Sequence, residues 1–457
     1  MRAMDGRRVA ALVAIIVIIV AIGVGLALFK PWGGKKSVVL KIVTRLSPEE
    51  QKAIKQAFLA SDIAKKYHIK DIEFTKVDYS LWKQLALSNK VDLFFIGEKV
   101  VYDRLCREGA FAPITMDKLV NIINGLKPEF VGRDSKGNIC WVAVGQAVYG
   151  YIINKNFLRE YGLPAPVRWG SLENPVYLKP LLSHSYTVSF PRPTKSGTAR
   201  TTMHGILQIY GWSDGWRLLT VIGMEAGIVD SSEKARDQAA EGIVGVAPAY
   251  IGYGIEAEKA GKGAVFEIPR GEGIAYISPV ALAKKAPHPR EAQAFILWLL
   301  SPEGQETIAK LFYYLPVRNI TGIAWVKEVY EKMKGNIFQY NRTLAEKVDL
   351  AATTYFEAAI ADSDSNALLK EIGQLAAQLI EKGKLSKDKW LNIVSQLAPL
   401  TIKDPWSGKT VKFTLSYAES INNKLQDSAN RDKFYNAVKA AALGTYKKVL
   451  EELKSMG

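Results

Sequence analysis

The distribution of apolar positions divides the chain into a long uninterrupted run and a remainder in which short strand-like and helix-like patterns alternate. From Val9 to Phe29 there are twenty-one consecutive residues drawn only from Val, Ile, Leu, Ala, Gly and Phe. At about 1.5 Å per residue such a helix reaches roughly 31 Å, the hydrocarbon thickness of a bilayer. A cleaved signal peptide is the alternative, but its apolar stretch is usually only about 7–15 residues and ends at a small-x-small site. Here the chain continues as Lys30-Pro31-Trp32-Gly33-Gly34-Lys35-Lys36, so a retained anchor is the expectation, with the large remainder extracytoplasmic.

Beyond Ser37 the rhythm changes. Ser37–Thr44 is rich in β-branched residues and predicts a buried strand. Ser47-Pro48-Glu49-Glu50 then supplies the cap, first-turn proline and third-position carboxylate of a helix start. Strands are predicted at 69–77, 91–97 and 143–153, with a short helix over 81–88. Strands alternating with helices predict a parallel α/β sheet. A further strand is expected at 243–246, and helical periodicity returns from Gln293 to Phe312 with a fresh start at Ser301-Pro302-Glu303. After Thr321 the pattern is helical apart from a short strand pair between Thr401 and Leu415.

Composition narrows the chemistry. The 457 residues carry 61 Lys+Arg against 45 Asp+Glu, a net charge of +16. The basic residues are dispersed and not striped with aromatics, which argues against nucleic acid and for attraction to an anionic membrane or cell surface. The two cysteines, Cys106 and Cys140, are too few for a four-cysteine zinc site; two unpaired buried thiols are the expectation, with one disulfide the alternative. The four histidines are scattered, without an HExxH pair, so a zinc hydrolase is not expected. No cofactor is implied.

The segment most suggestive of binding is Phe190-Pro191-Arg192-Pro193-Thr194-Lys195-Ser196-Gly197-Thr198-Ala199-Arg200. A strand ending at Phe190, a Ser-Gly-Thr turn and a following helix would offer unpaired backbone N–H groups and the positive end of a dipole to an anion. One dipole contributes only about 0.3–1 kcal/mol when exposed, so Lys195, Arg200 or another cation would have to assist. Taken alone, the turn is a weak signal and reads more readily as a helix cap without a ligand.

From about Val39 to Arg318 the order of segments resembles the extracytoplasmic solute-binding proteins of ABC importers, in the ferric-iron and phosphonate branch. The resemblance is carried by Val91-Asp92-Leu93-Phe94-Phe95 followed by Phe111-Ala112-Pro113, by Tyr149-Gly150-Tyr151-Ile152-Ile153-Asn154, and by Pro193–Thr198 with Gly211-Trp212 and Gly215-Trp216. Leu300-Ser301-Pro302-Glu303-Gly304-Gln305 and Leu315-Pro316-Val317-Arg318 complete it. It implies a two-lobe periplasmic-binding-protein-like fold of type II, with lobe one formed by residues 37–142 and 266–320 and lobe two by 143–265; the helical region over 321–457 is read from the pattern alone, beyond the part the resemblance covers. It also implies a non-enzymatic receptor that closes on a small ligand and hands it to ABC permease subunits. Carried over by position, the ligand residues would be Arg45, Gly97, Glu98, Ser196, Gly197, Thr198, Tyr250, Tyr253 and Tyr276, to which the need for a cation at the helix start adds Lys195.

One departure bears on the ligand. Iron-binding members place two adjacent tyrosines in the second lobe's ligand loop, whereas here that loop reads Ala247-Pro248-Ala249-Tyr250-Ile251-Gly252-Tyr253. The adjacent pair Tyr313-Tyr314 lies elsewhere. An oxyanion ligand therefore ranks above direct ferric binding, with ferric iron held together with an anion as the alternative. A sensor or interaction module reusing the fold, and a surface hydrolase, are the other readings. For a hydrolase, the Ser196-Gly197-Thr198 turn lacks the Gly-x-Ser-x-Gly elbow, and no phosphate-binding GxxxxGK[ST] loop is present.

Overall fold

The computed structural model describes residues 37–457 except 78, 98 and 321, together with all but the side chain of Ser80. The apolar run Val9–Phe29 and the candidate Glu98 lie outside the described residues. Among the described residues no helix is long and apolar enough to cross a membrane.

Among the described residues eleven strands form one sheet: β1 Val38–Thr44, β2 Ile69–Thr75, β3 Leu93–Phe95, β4 Val131–Arg133, β5 Ile139–Asn154, β6 Val188–Pro191, β7 Ala226–Val229, β8 Val246–Tyr250, β9 Ala264–Glu267, β10 Ile274–Leu282 and β11 Leu315–Pro316. The path runs β2-β1-β3-β10-β5-β8-β6-β7, with β4, β9 and β11 also on β5. At one end β1 pairs in parallel with β2 and β3, and at the other β6 pairs in parallel with β7 and β8. The parallel sheet expected from the pattern is thus present twice.

The two halves are joined by β5 and β10, which run antiparallel from Tyr149↔Ile274 to Trp141↔Ala281. Strand β5 is buried along nearly its whole length, as befits a strand covered on both faces. Period-two alternation distributes the side chains of β3 in lobe one and of β5 in lobe two. In lobe one Leu93 and Phe95 face one core while Phe94 faces another; in lobe two Tyr151 and Ile153 face one core while Val148 and Ile152 face the other. The mixed α/β, two-lobe architecture implied by the resemblance is present.

Helix starts follow the sequence signals closely. Ser47 and Glu50 form a complete capping box for Pro48–Ala60, and Ser301 caps Pro302–Phe312. Thr401–Lys403 and Thr410–Lys412 pair as an antiparallel hairpin.

Two expectations need correction. The strand placed at 243–246 begins only at Val246 and runs to Tyr250; Ile243 is 58% exposed and lies in the turn before it. The supposed ligand loop from Ala247 is therefore mostly strand. The cysteines are not free thiols: Cys106 and Cys140 form a disulfide with Cα atoms 5.8 Å apart, inside the second core of lobe one. That separation lies within the ordinary disulfide range.

The helical region after residue 321 shares the core of lobe two. Phe356 stacks on Phe190 at 5.5 Å between ring centroids, Tyr355 lies 4.4 Å from Trp216, and Phe413 lies 5.3 Å from Trp212. Trp212 and Trp216, on the helix Trp212–Glu225, therefore face the C-terminal region.

Candidate ligand-binding site

The strand β6 ends at Pro191, and Ser196 begins the Gly197–Ile209 helix. Ser196 Oγ accepts the Ala199 N–H at 3.0 Å and lies 2.5 Å from Ser232 Oγ, so this buried hydroxyl is occupied with capping and with a second helix start. The Gly197 and Thr198 N–H groups are the first two of the helix, whose acceptors must come from outside it. Gly197 has open space where a Cβ would stand, whereas Thr198 is buried. Lys195 does not aim at this turn; it pairs with Asp230 at 3.0 Å.

One turn on, Arg200, Thr201 and His204 share a face of the same helix as Gly197. They line a cavity of about 260 Å³ together with Tyr276 of β10, Tyr79 of lobe one and residues of the C-terminal region. Arg200 donates to the Pro193 carbonyl at 3.0 Å, which ties it to the loop preceding its helix.

Tyrosines continue the wall along the junction of the lobes. Tyr276 lies 5.2 Å from Tyr149, Tyr149 lies 6.4 Å from Tyr250, and Tyr250 lies 4.5 Å from Tyr253. Tyr250 ends β8 and Tyr253 sits in the first turn of the helix Ile251–Lys259. The Tyr253 hydroxyl donates to Glu233 at 2.5 Å. Burial raises the phenols of Tyr149, Tyr250 and Tyr276 above the ordinary tyrosine value, and that of Tyr314 to about 12. At neutral pH these groups are O–H donors, suited to an acceptor such as an oxyanion. Tyr314 belongs to the same array, since its charge would act on both Tyr149 and Tyr250.

On the lobe-one side, the chain leaves β3 through Ile96 at φ 58°, a left-handed conformation costly for a β-branched residue. Such strain is on the order of 1–3 kcal/mol and tends to occur at ligand clamps. It brings Gly97 against Trp82, Tyr79 and Tyr102, where a Cβ would lie 2.8 Å from the Trp82 ring and 3.3 Å from the Tyr79 hydroxyl. Arg45 is exposed; it donates to the Val77 carbonyl at 3.3 Å and its guanidinium lies 5.0 Å over the Tyr79 ring.

The structure therefore links Tyr250 to Tyr276 through Tyr149 and sets Arg45 and Gly97 beside Tyr79, while Gly197 lies one turn before Arg200 on the helix that lines the cavity. Lys195 and Tyr253 are engaged with Asp230 and Glu233. Sequence reasoning missed Tyr79, Tyr340 and Arg342 as candidate site residues because they come from distant segments without a motif, and missed Tyr149 because its segment reads as a crossover strand and not as a ligand loop. Among the described residues no cluster of three or more His, Cys, Asp or Glu is arranged to hold a metal ion.

Comparison with known proteins agrees with this architecture. The family model for bacterial extracellular solute-binding proteins matches residues 87–333, more than half of the chain. The phosphoglycerate transport regulatory protein PgtC of Salmonella typhimurium is 32% identical over 171 residues, covering 37% of this chain and 40% of PgtC. The match thus spans well under half of that relative's length. An extracellular solute-binding protein of Bordetella parapertussis superposes with TM-score 0.51 at 15% identity, covering 71% of this chain and 97% of its own. The periplasmic binding protein AfuA of Actinobacillus pleuropneumoniae, solved with fructose-6-phosphate bound, gives TM-score 0.47 at 17% identity over 77% of this chain and all of AfuA. With two lobes joined by β5 and β10 and a family match over most of both, the chain belongs to the bacterial extracellular solute-binding proteins.

Proposed function

We propose that this protein is a receptor that captures a small oxyanion-bearing solute between its lobes and delivers it to an ABC permease. The observation that supports the ligand class is the open helix start at Gly197, continued by Arg200 and by buried, protonated tyrosines. Backbone N–H groups, a guanidinium and neutral phenols are all donors, and an oxyanion is the acceptor they have in common. Closure about β5 and β10 would bring Tyr79 and Gly97 of lobe one toward that surface, a hinge mode common among two-lobed binders. The receptor performs no chemistry of its own.

In this reading Val9–Phe29 tethers the protein as a single-pass anchor, with the globular part outside the membrane. The competing ligand is ferric iron accompanied by an anion, favoured by the number of tyrosines at the junction. A sensor function has support in the Salmonella relative, whose name is that of a transport regulatory protein. It differs only in the partner that the closed form meets.

The test is mass spectrometry of whatever solute accompanies the full-length protein purified from its native membranes. A phosphate ester, phosphonate or carboxylate at near-stoichiometric amount is the expected result. Stoichiometric iron without an accompanying anion would contradict it.

A further inference from the structure

A second hollow lies apart from the tyrosine-lined cavity and shares no residue with it. About 800 Å³ in volume, it opens between lobe one and the helix Ala324–Met333. Phe130 and Val317, from the core of lobe one, form one side. Val326, from the core that this helix shares with β8 and β9, forms the other. Both sides are fastened in place. Gln305 Oε1 accepts the Val317 and Arg318 N–H groups at 2.8 and 3.1 Å. The Tyr330 hydroxyl donates to the Pro316 carbonyl, and Lys332 Nζ donates to the Phe266 carbonyl at 2.7 Å. The groove is thus a gap between two packed cores, and an occupant touches both.

The charges around this carbon floor are of one sign. Lys127, Arg318 and Lys327 line the groove, and a smaller hollow of about 510 Å³, continuous with it through Val317, Arg318 and Asn319, adds Lys118. None of these four cations pairs with a carboxylate among the described residues. The lining carries one carboxylate among the described residues, Glu331, which lies 2.6 Å from Lys334 and so brings no net charge. Lysine stems lie along apolar surface while their ammonium groups stay in water, which gives the groove a cationic mouth. An extended peptide would bring backbone N–H and C=O groups that a floor of carbon cannot satisfy. The Tyr330 hydroxyl is already spent on Pro316. An alkyl chain brings no such groups, and a carboxylate at its end complements the mouth. The volume falls within the range of about 300–1,000 Å³ usual for small-molecule sites.

We infer that this groove binds a fatty-acid carboxylate, with its alkyl chain between Phe130, Val317 and Val326 and its head group among Lys127, Arg318 and Lys327. The inference does not rest on the oxyanion reading of the cleft; it adds a second, separate site for an amphiphile.

Photolabelling of the full chain in lipid nanodiscs tests it, with diazirine-tailed palmitic acid, palmityl alcohol and palmityl amine as probes. Mass spectrometry of the labelled peptides is the readout. The acid should label the peptides around Phe130, Val317 and Val326 at least about fivefold more efficiently than the alcohol, and the amine least of all. Replacing both exposed lysines, Lys127→Gln together with Lys327→Gln, should bring the acid down to the level of the alcohol and leave alcohol labelling nearly unchanged. Ala324→Glu sits exposed in the first turn of its helix, where an acidic residue suits the dipole and keeps the fold. It should reduce labelling by acid and alcohol alike severalfold. Unfolding temperatures report that both variants are folded. Labelling of these peptides that is indifferent to the head group, or a double variant indistinguishable from the parent, overturns the inference. So does a polypeptide crosslinked through Lys127 or Lys327 in native membranes with no lipid label in the groove, which makes the occupant a protein.

Discussion

At the residue scale, Gly197 and Ser196 separate binding from folding. Gly197 opens the helix Gly197–Ile209 with free space where a side chain would project, and its φ is not in the left-handed region. Gly197→Leu should therefore leave the unfolding temperature within a few degrees and lower ligand affinity more than about tenfold, read by calorimetry beside a thermal melt. Ser196 behaves oppositely, because its hydroxyl caps the helix and meets Ser232. Ser196→Ala should cost about 0.5–2 kcal/mol of stability, visible in a denaturant titration, with binding weakened but retained. The Ser-Gly-Thr turn was legible because caps act within one turn of chain. The engagement of Ser196 with Ser232 was not, since it joins two helix starts thirty-six residues apart.

At the scale of elements, local signals held and long-range partners did not show. The capping box at Ser47 and the start at Ser301 are written in four adjacent residues and appear as expected. Strand β8 was misplaced because Pro248 has no N–H for a ladder and so reads as a strand end, although it sits inside the strand opposite Tyr151. The cysteine pairing depended on the packing of lobe one, which sequence spacing cannot reveal. A similar long-range feature lies at the end of the helix Trp212–Glu225, where both Glu225 carboxylate oxygens are buried without a hydrogen-bond partner. Burial pushes the Glu225 carboxyl well above the usual range, although the nearby Lys370 charge works the other way. A carboxyl raised by folding binds its proton more tightly in the native state, so stability falls as pH rises above the unfolded value of about 4.3. Glu225→Met should remove that loss and gain about 1–3 kcal/mol near neutral pH. Denaturant titrations at a series of pH values check the sign: a variant less stable than the parent at pH 7 would contradict the account.

At the scale of the whole molecule, the helical pattern of the C-terminal region was evident from sequence, but its role was not. Its apolar faces join Phe190, Trp212 and Trp216 of lobe two in one core, and no periodicity within either segment records that match. A chain ending at residue 320 should therefore expose those aromatics and lose cooperative unfolding, which calorimetry and dye binding would register. A sharp two-state transition in that truncated chain would contradict the shared core. The central claim concerns what the junction of the lobes receives. The most direct measurement is calorimetric titration of the parent, Gly197→Leu and Tyr250→Phe with glycerol 3-phosphate and with ferric ion. The account predicts phosphate-ester binding that Gly197→Leu abolishes or weakens at least tenfold, and no tight binding of bare ferric ion. Tight ferric binding that is lost in Tyr250→Phe and kept in Gly197→Leu would contradict it.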